Sequence, residues 1–181
     1  MRHDRHAVSF PVHVKRLPQN GLPLVIEADA EQRARLAADH DLVSVERFRA
    51  ELLVSAWKRN GVKVEGRVEA AITQACVVTL DPLQSLMDEE VSGLFLPDDS
   101  KLGREGFHQP GEIHLDPDGP DSPETFSGDT IDVGALAEEF FALAIDPYPR
   151  KPDAALPAPE APGVDGPLQQ KLRALRSEPE S

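Results

Sequence analysis

The sequence predicts an α+β domain in which a central antiparallel sheet of about four to five strands is packed by two helices. Three observations carry this reading. Two long period-2 patterns flank Asn60-Gly61 within residues 43–80, a third alternating stretch follows Pro82, and two segments of helical periodicity each start behind an aspartate, Asp29 and Asp132. The chain has 181 residues, enough for one ordinary domain, and its 40% hydrophobic fraction supports a buried core.

Taken in order, Phe10, Val12 and Val14 alternate with Pro11, His13 and Lys15, which suits a short edge strand with proline at its start. Leu22, Leu24 and Ile26 repeat the period. Asp29 precedes AEQRARLAADH with Gln32 three residues on, so a capping box can satisfy free amides at the start of a helix that ends near His40.

The hairpin follows. Val62, Val64, Gly66, Val68, Ala70 and Ile72 face one way and Lys63, Glu65, Arg67 and Glu69 the other, while Phe48, Ala50, Leu52, Val54 and Ala56 form the matching apolar row. A two-residue loop of Asn60-Gly61 sets Val54 against Arg67 and scrambles the faces. A three-residue loop, Arg59-Asn60-Gly61, brings Phe48 to Ile72, Leu52 to Val68 and Val54 to Gly66, with Gly61 in the positive-φ place of a G1 bulge.

Leu80-Asp81-Pro82 ends the second strand, because proline cannot donate to a ladder and restricts the residue before it. Met87, Val91, Gly93 and Phe95 then mark a third strand, antiparallel to the second, with Asp88 and Glu90 on its polar face. Residues 97–126 read as an acidic, disordered insert. Behind Asp132, Val133, Leu136, Ala137, Phe140, Phe141 and Ala144 stand at helical spacing, and that helix stops at Asp146-Pro147. The α+β domain thus spans residues 1–145; a Pro-rich linker over 146–167 and a short helix over 168–176, with Leu168, Leu172 and Leu175 on one stripe, complete the chain.

Net charge is −13, and it is uneven: residues 97–165 carry 16 acidic and 4 basic side chains, whereas residues 1–96 carry 14 and 12. A role in coating a polyanion is disfavoured, since such domains present a basic face. Cys76 is the single cysteine, which excludes an intramolecular disulfide or a multi-cysteine zinc site. The chain lacks a run of about 18 apolar residues and its N-terminus lacks the apolar core of a signal peptide, so a cytoplasmic monomer with no membrane partner is expected.

The segments CVVTLDPLQSLMDEEVSGLFLP and IDVGALAEEFFALAIDPYPRKP, in that order around an acidic insert, resemble the YceD family of bacterial and plastid proteins. That family is linked to accumulation of large-subunit ribosomal RNA. The resemblance covers roughly residues 10–150. Its strand-and-turn motif lands on Cys76, Thr79, Leu80, Asp81 and Pro82, and its second motif on Ile131, Asp132, Val133, Glu138, Glu139 and Leu143. Many relatives have a further cysteine where Thr79 stands, and more near the C-terminus where this chain is Pro-rich, so the resemblance implies neither structural zinc nor another cofactor here. It implies a process, ribosome assembly, in place of a reaction: a non-enzymatic biogenesis factor whose partner is a large-subunit ribosomal protein or ribosomal RNA.

Each candidate group has two readings. Cys76 is either a reactive thiol, which needs a nearby base or cation, or a small hydrophobe in phase with Val62, Val64, Val68, Ile72 and Val78. His108 and His114, among Asp98, Asp99, Glu112, Asp116 and Asp118, are either metal ligands or part of a solvated acidic loop. Asp88, Glu89 and Glu90 are acid/base carboxylates or solubilising charge. Arg47, Arg49, Lys63 and Arg67 share one hairpin face, with Trp57 nearby, and contact RNA or a partner unless Glu46, Glu51, Glu65 and Glu69 neutralise them. The acidic insert attracts a basic ribosomal protein or serves solubility alone. An acidic holdase or adaptor for a basic protein unrelated to the ribosome fits the charge pattern equally; a hydrolase needs a converging pocket, and no P-loop, G-x-S-x-G or His-Glu motif is present.

Overall fold

The computed structural model describes residues 6–58, 60–100, 123–152, 154 and 166. Strands β1 (Pro11–His13) and β2 (Leu22–Glu27) precede helix α1 (Ala30–Asp39); β3 (Ser44–Trp57), β4 (Gly61–Ala75) and β5 (Pro82–Pro97) follow; then come β6 (Glu124–Phe126), β7 (Thr130–Asp132) and helix α2 (Val133–Ala144). Five strands form one sheet in the order β2-β3-β4-β5-β6, and β1 pairs with β7 in a second, two-stranded sheet. The α+β class holds. Two details differ from the expectation: the sheet is mixed, because β6 runs parallel to β5, and the first strand pairs with β7 instead of edging the main sheet.

The hairpin forms with its apolar rows matched, but two residues out of the expected register. Val54 pairs with Val64, Leu52 with Gly66 and Phe48 with Ala70, and Trp57 pairs with Gly61, so the connection is residues 58–60. A shift of two preserves which face each side chain takes, so alternation alone cannot tell these registers apart. The left-handed position falls to Asn60 (φ 67°), not Gly61. Asparagine tolerates that conformation. Gly61 is instead needed for space, since a Cβ there would lie 3.0 Å from both Leu96 Cδ2 and Trp57 Cε3. Near the far end of the hairpin a bulge between Val45 and Arg47 leaves Glu46 as the extra residue, and its carboxylate accepts from Ser44 and Thr73 hydroxyls.

The core lies on the face bearing Phe48, Ala50, Leu52, Val54, Val62, Val64, Val68, Ala70, Ile72, Val91 and Phe95. Helix α2 covers it through Val133, Leu136, Ala137 and Phe141, and α1 through Leu36. Phe141 meets Phe48 edge to face at 5.5 Å; each ring contributes about 1.5–3 kcal/mol by leaving water. Both helices start as read: Asp29 and Gln32 form the reciprocal capping box, and Asp132 Oδ1 accepts from the amides of Gly134 and Ala135. At Gly66 the neighbouring strand leaves no room for a side chain, since a Cβ there would lie 2.0 Å from the Glu51 carbonyl oxygen.

Candidate functional site

The turn between β4 and β5 is built from inside. Cys76 N donates to Asp81 O (2.8 Å) and Leu80 N to Cys76 O (2.9 Å), which closes residues 76–81 into a loop. Closing it forces Leu80 to φ 62°, uncommon for a leucine, and leaves that side chain 77% exposed. The chain leaving α2 docks on this loop. Val77 N donates to Pro149 O (2.9 Å), Gln74 Nε2 to Asp146 O (2.8 Å) and Lys151 Nζ to Asp81 Oδ2 (2.7 Å). That lysine, helped by the Thr79 hydroxyl, holds the Asp81 carboxyl below the usual range.

Cys76 is fully buried, yet its sulfur faces donors and the residue lies outside the hydrophobic cluster. The Thr79 hydroxyl and the backbone amides of Lys151, Thr79 and Val78 all point at it and pull the thiol down to about 6, against the opposing effect of burial. The expectation of a plain small hydrophobe is thus corrected in one respect: burial is right, but the surroundings are polar. Exposed Val77 and Tyr148 join Leu80 on the turn and the segment docked against it, and Pro82 opens β5 directly behind.

Asp132 and Glu138 do different work. Asp132 caps α2 and with the same carboxylate accepts from Phe10 N (2.8 Å) and Ser9 Oγ (2.5 Å), while buried Glu138 accepts from Val8 N (2.8 Å). Together they clamp the segment ahead of β1. His6 Nδ1 and His40 Nε2 each lie 3.8 Å from Glu138 Oε1. Glu139 instead faces a cleft of about 280 Å3 also lined by His6, Glu124, Thr125 and Thr130. Burial there, with the Glu139 charge, raises the Glu124 pKa.

The basic residues of the hairpin lie along one face of the sheet from the Arg47 end to the Lys63 end, and each is engaged by a carboxylate. Arg47 pairs with Glu69 (2.9 Å), Arg49 with Glu27 and Glu51, Lys63 with Glu65 (2.7 Å) and Arg67 with Asp88 (3.0 Å). Trp57 lies at the hairpin end with Lys58 Nζ 5.4 Å from its ring centre. His108, His114 and the helix over 168–176 lie outside the described residues, as does most of the acidic insert. Among the described residues no group of three or more His, Cys, Asp or Glu is arranged to hold a metal ion, and no helix is long and apolar enough to cross a membrane.

A family model described as large ribosomal RNA subunit accumulation protein YceD matches residues 64–178, from near the start of β4 through the turn, β5, α2 and the docked segment. The chain belongs to the YceD family. No curated protein and no solved structure matches it. The YceD family's description implies a role in accumulation of large-subunit ribosomal RNA. Within the YceD match, both sequence motifs meet in space: CVVTLDP forms the turn, and the DPYPRK end of the second motif docks on it. Asp146, Pro149 and Lys151, which do this, were not among the expected site residues, although all three stand inside the quoted motif.

Proposed function

We propose that the protein is a non-enzymatic, cytoplasmic factor in large-subunit assembly, raising the yield of large-subunit ribosomal RNA by binding a basic ribosomal protein. The observation that carries this reading is the meeting of the two family motifs at a turn that holds apolar Leu80 outward in a costly backbone conformation. Such a conformation is retained where function uses it. The ion pairs of Arg47, Arg49, Lys63 and Arg67 favour a protein partner over RNA, because a guanidinium already engaged by carboxylate has less to offer a phosphate.

Depletion of the protein in its own cells tests this. The expected result is a fall in the ratio of large- to small-subunit ribosomal RNA and a loss of large subunits on sedimentation. An unchanged ratio would overturn it in favour of a general acidic adaptor, which the net charge of −13 also suits. Capture of the tagged protein at low and high salt separates the two readings by whether ribosomal components are in the complex.

A further inference from the structure

Strand β5 is 16 residues long, yet β6 covers only its last three, Phe95 to Pro97. On its other side β4 pairs with it without a break from Pro82 to Phe95. Among the described residues, the outer edge of residues 83–94 has no strand beside it, a stretch of about 40 Å at roughly 3.4 Å per residue. Natural edges of this length are blunted by charged side chains, lysine above all, by internal proline or by a bulge. Of these β5 has acidic charge alone: its prolines are the two end residues, it contains no lysine or arginine, and its pairing with β4 keeps one register.

What it carries is acid. Asp88, Glu89 and Glu90 occupy its middle, and because successive residues alternate, Glu89 lies on one face of the sheet and Asp88 and Glu90 on the other. Asp88 is engaged by Arg67, whereas Glu89 and Glu90 are exposed and have no ion pair among the described residues. Leu86 beside them is 88% exposed. A second copy adding through this edge would set like charges against each other in any register that overlaps the middle of the strand. A strand bearing lysine or arginine would place its charges above and below the edge, where the carboxylates stand.

We propose that the open edge of β5 receives an extended, basic segment of a partner protein as an added strand. Main-chain hydrogen bonds supply the affinity, and Glu89 and Glu90 supply the selection for positive charge. The inference gives the partner of the assembly reading a chemistry and a place to bind, and rests on that reading for its biological meaning.

The test uses the full chain and three synthetic peptides: one of alternating lysine and valine, one of alternating glutamate and valine, and the basic one with alternate amides N-methylated. The basic peptide is expected to bind and to slow exchange at those amides between Gln84 and Ser92 that point away from β4, the alternate set being already bonded to β4. The acidic and N-methylated peptides are expected not to bind, and the double substitution Glu89→Lys, Glu90→Lys to weaken the basic peptide by on the order of tenfold or more. Equal binding of the N-methylated peptide would overturn the proposal, since charge adsorption needs no ladder. So would slow exchange, in the protein alone, of the β5 amides that point away from β4, which would mean that its own chain or, if the effect grew with concentration, a second copy covers the edge. Loss of large-subunit RNA on depletion, with no peptide binding, removes the edge proposal and leaves the assembly reading standing; peptide binding with an unchanged RNA ratio does the reverse.

Discussion

Asp81 Oδ2 accepts a hydrogen bond from Lys151 Nζ at 2.7 Å, and so ties the turn after β4 to the chain that leaves α2. Both partners are about half exposed, and a solvated pair of this kind contributes about 0–1 kcal/mol. The part-buried contact beside it, from the buried Gln74 Nε2 to Asp146 O, is worth more to the fold. Lys151→Ala is therefore expected to change the midpoint of chemical denaturation little. Gln74→Leu, which strands the Asp146 carbonyl, is expected to cost about 1–3 kcal/mol. The reverse order would mean that the charge pair, not the buried amide, holds the segment.

The Cys76 thiol gives stability a pH dependence with a definite sign. Its pKa is about 6 in the folded chain against an ordinary value of 9.0, because Thr79 and the amides around it favour the thiolate. The group contributes its full stabilisation above pH 9, loses it as pH falls towards 6, and contributes none below. Denaturation midpoints should rise between pH 6 and pH 9 by more in the native chain than in Cys76→Ala. Thr79→Val should move the thiolate absorbance titration upward; an unmoved titration would show that the hydroxyl is not the leading donor.

Leu80→Gly separates stability from function. Glycine adopts positive φ without penalty, so this variant is expected to be as stable as the native chain, or more stable by about 1 kcal/mol. Removing the exposed side chain is nevertheless expected to prevent the variant from restoring large-subunit RNA in depleted cells. Full restoration would show that the turn presents nothing through Leu80.

Gly66→Ala is expected to be costly. The new methyl would have to displace the Glu51 carbonyl of the neighbouring strand, and overpacking of this kind costs about 1–3 kcal/mol or more. Thermal unfolding measures it. A change below about 0.5 kcal/mol would mean that β3 and β4 separate there with little resistance.

Much of the sheet was legible because period 2 survives in long strands: the rows from Val62 to Ile72, half-buried Gly66 apart, and from Phe48 to Val54 are buried as read, whereas Ala56 at the end of the second row is exposed. Parity could not choose between registers two residues apart, and alternation does not reveal that Trp57 pairs with Gly61 or that Asn60 takes the positive φ. Strand β6 was missed because Glu124–Phe126 is three residues behind a polar stretch, and only Phe95–Pro97 beside it makes it a strand. At the turn, Cys76, Thr79, Leu80 and Asp81 were singled out from sequence, but the donors that set the character of the thiol include the Lys151 amide, brought from beyond the next helix. Proximity of that kind belongs to tertiary structure.

The clamp formed by Asp132 and Glu138 also bears on the order in which the chain is finished. Among the described residues strand β1 has β7 as its ladder partner, and the amides of Val8 and Phe10 find theirs in the residues that begin and line α2. During synthesis the segment ahead of β1 cannot make these contacts until the chain as far as α2 has followed it. Contacts this distant in sequence are slow to close. Capture of this segment by β7 and α2 thus has to follow synthesis of the whole hairpin and β5 that lie between them.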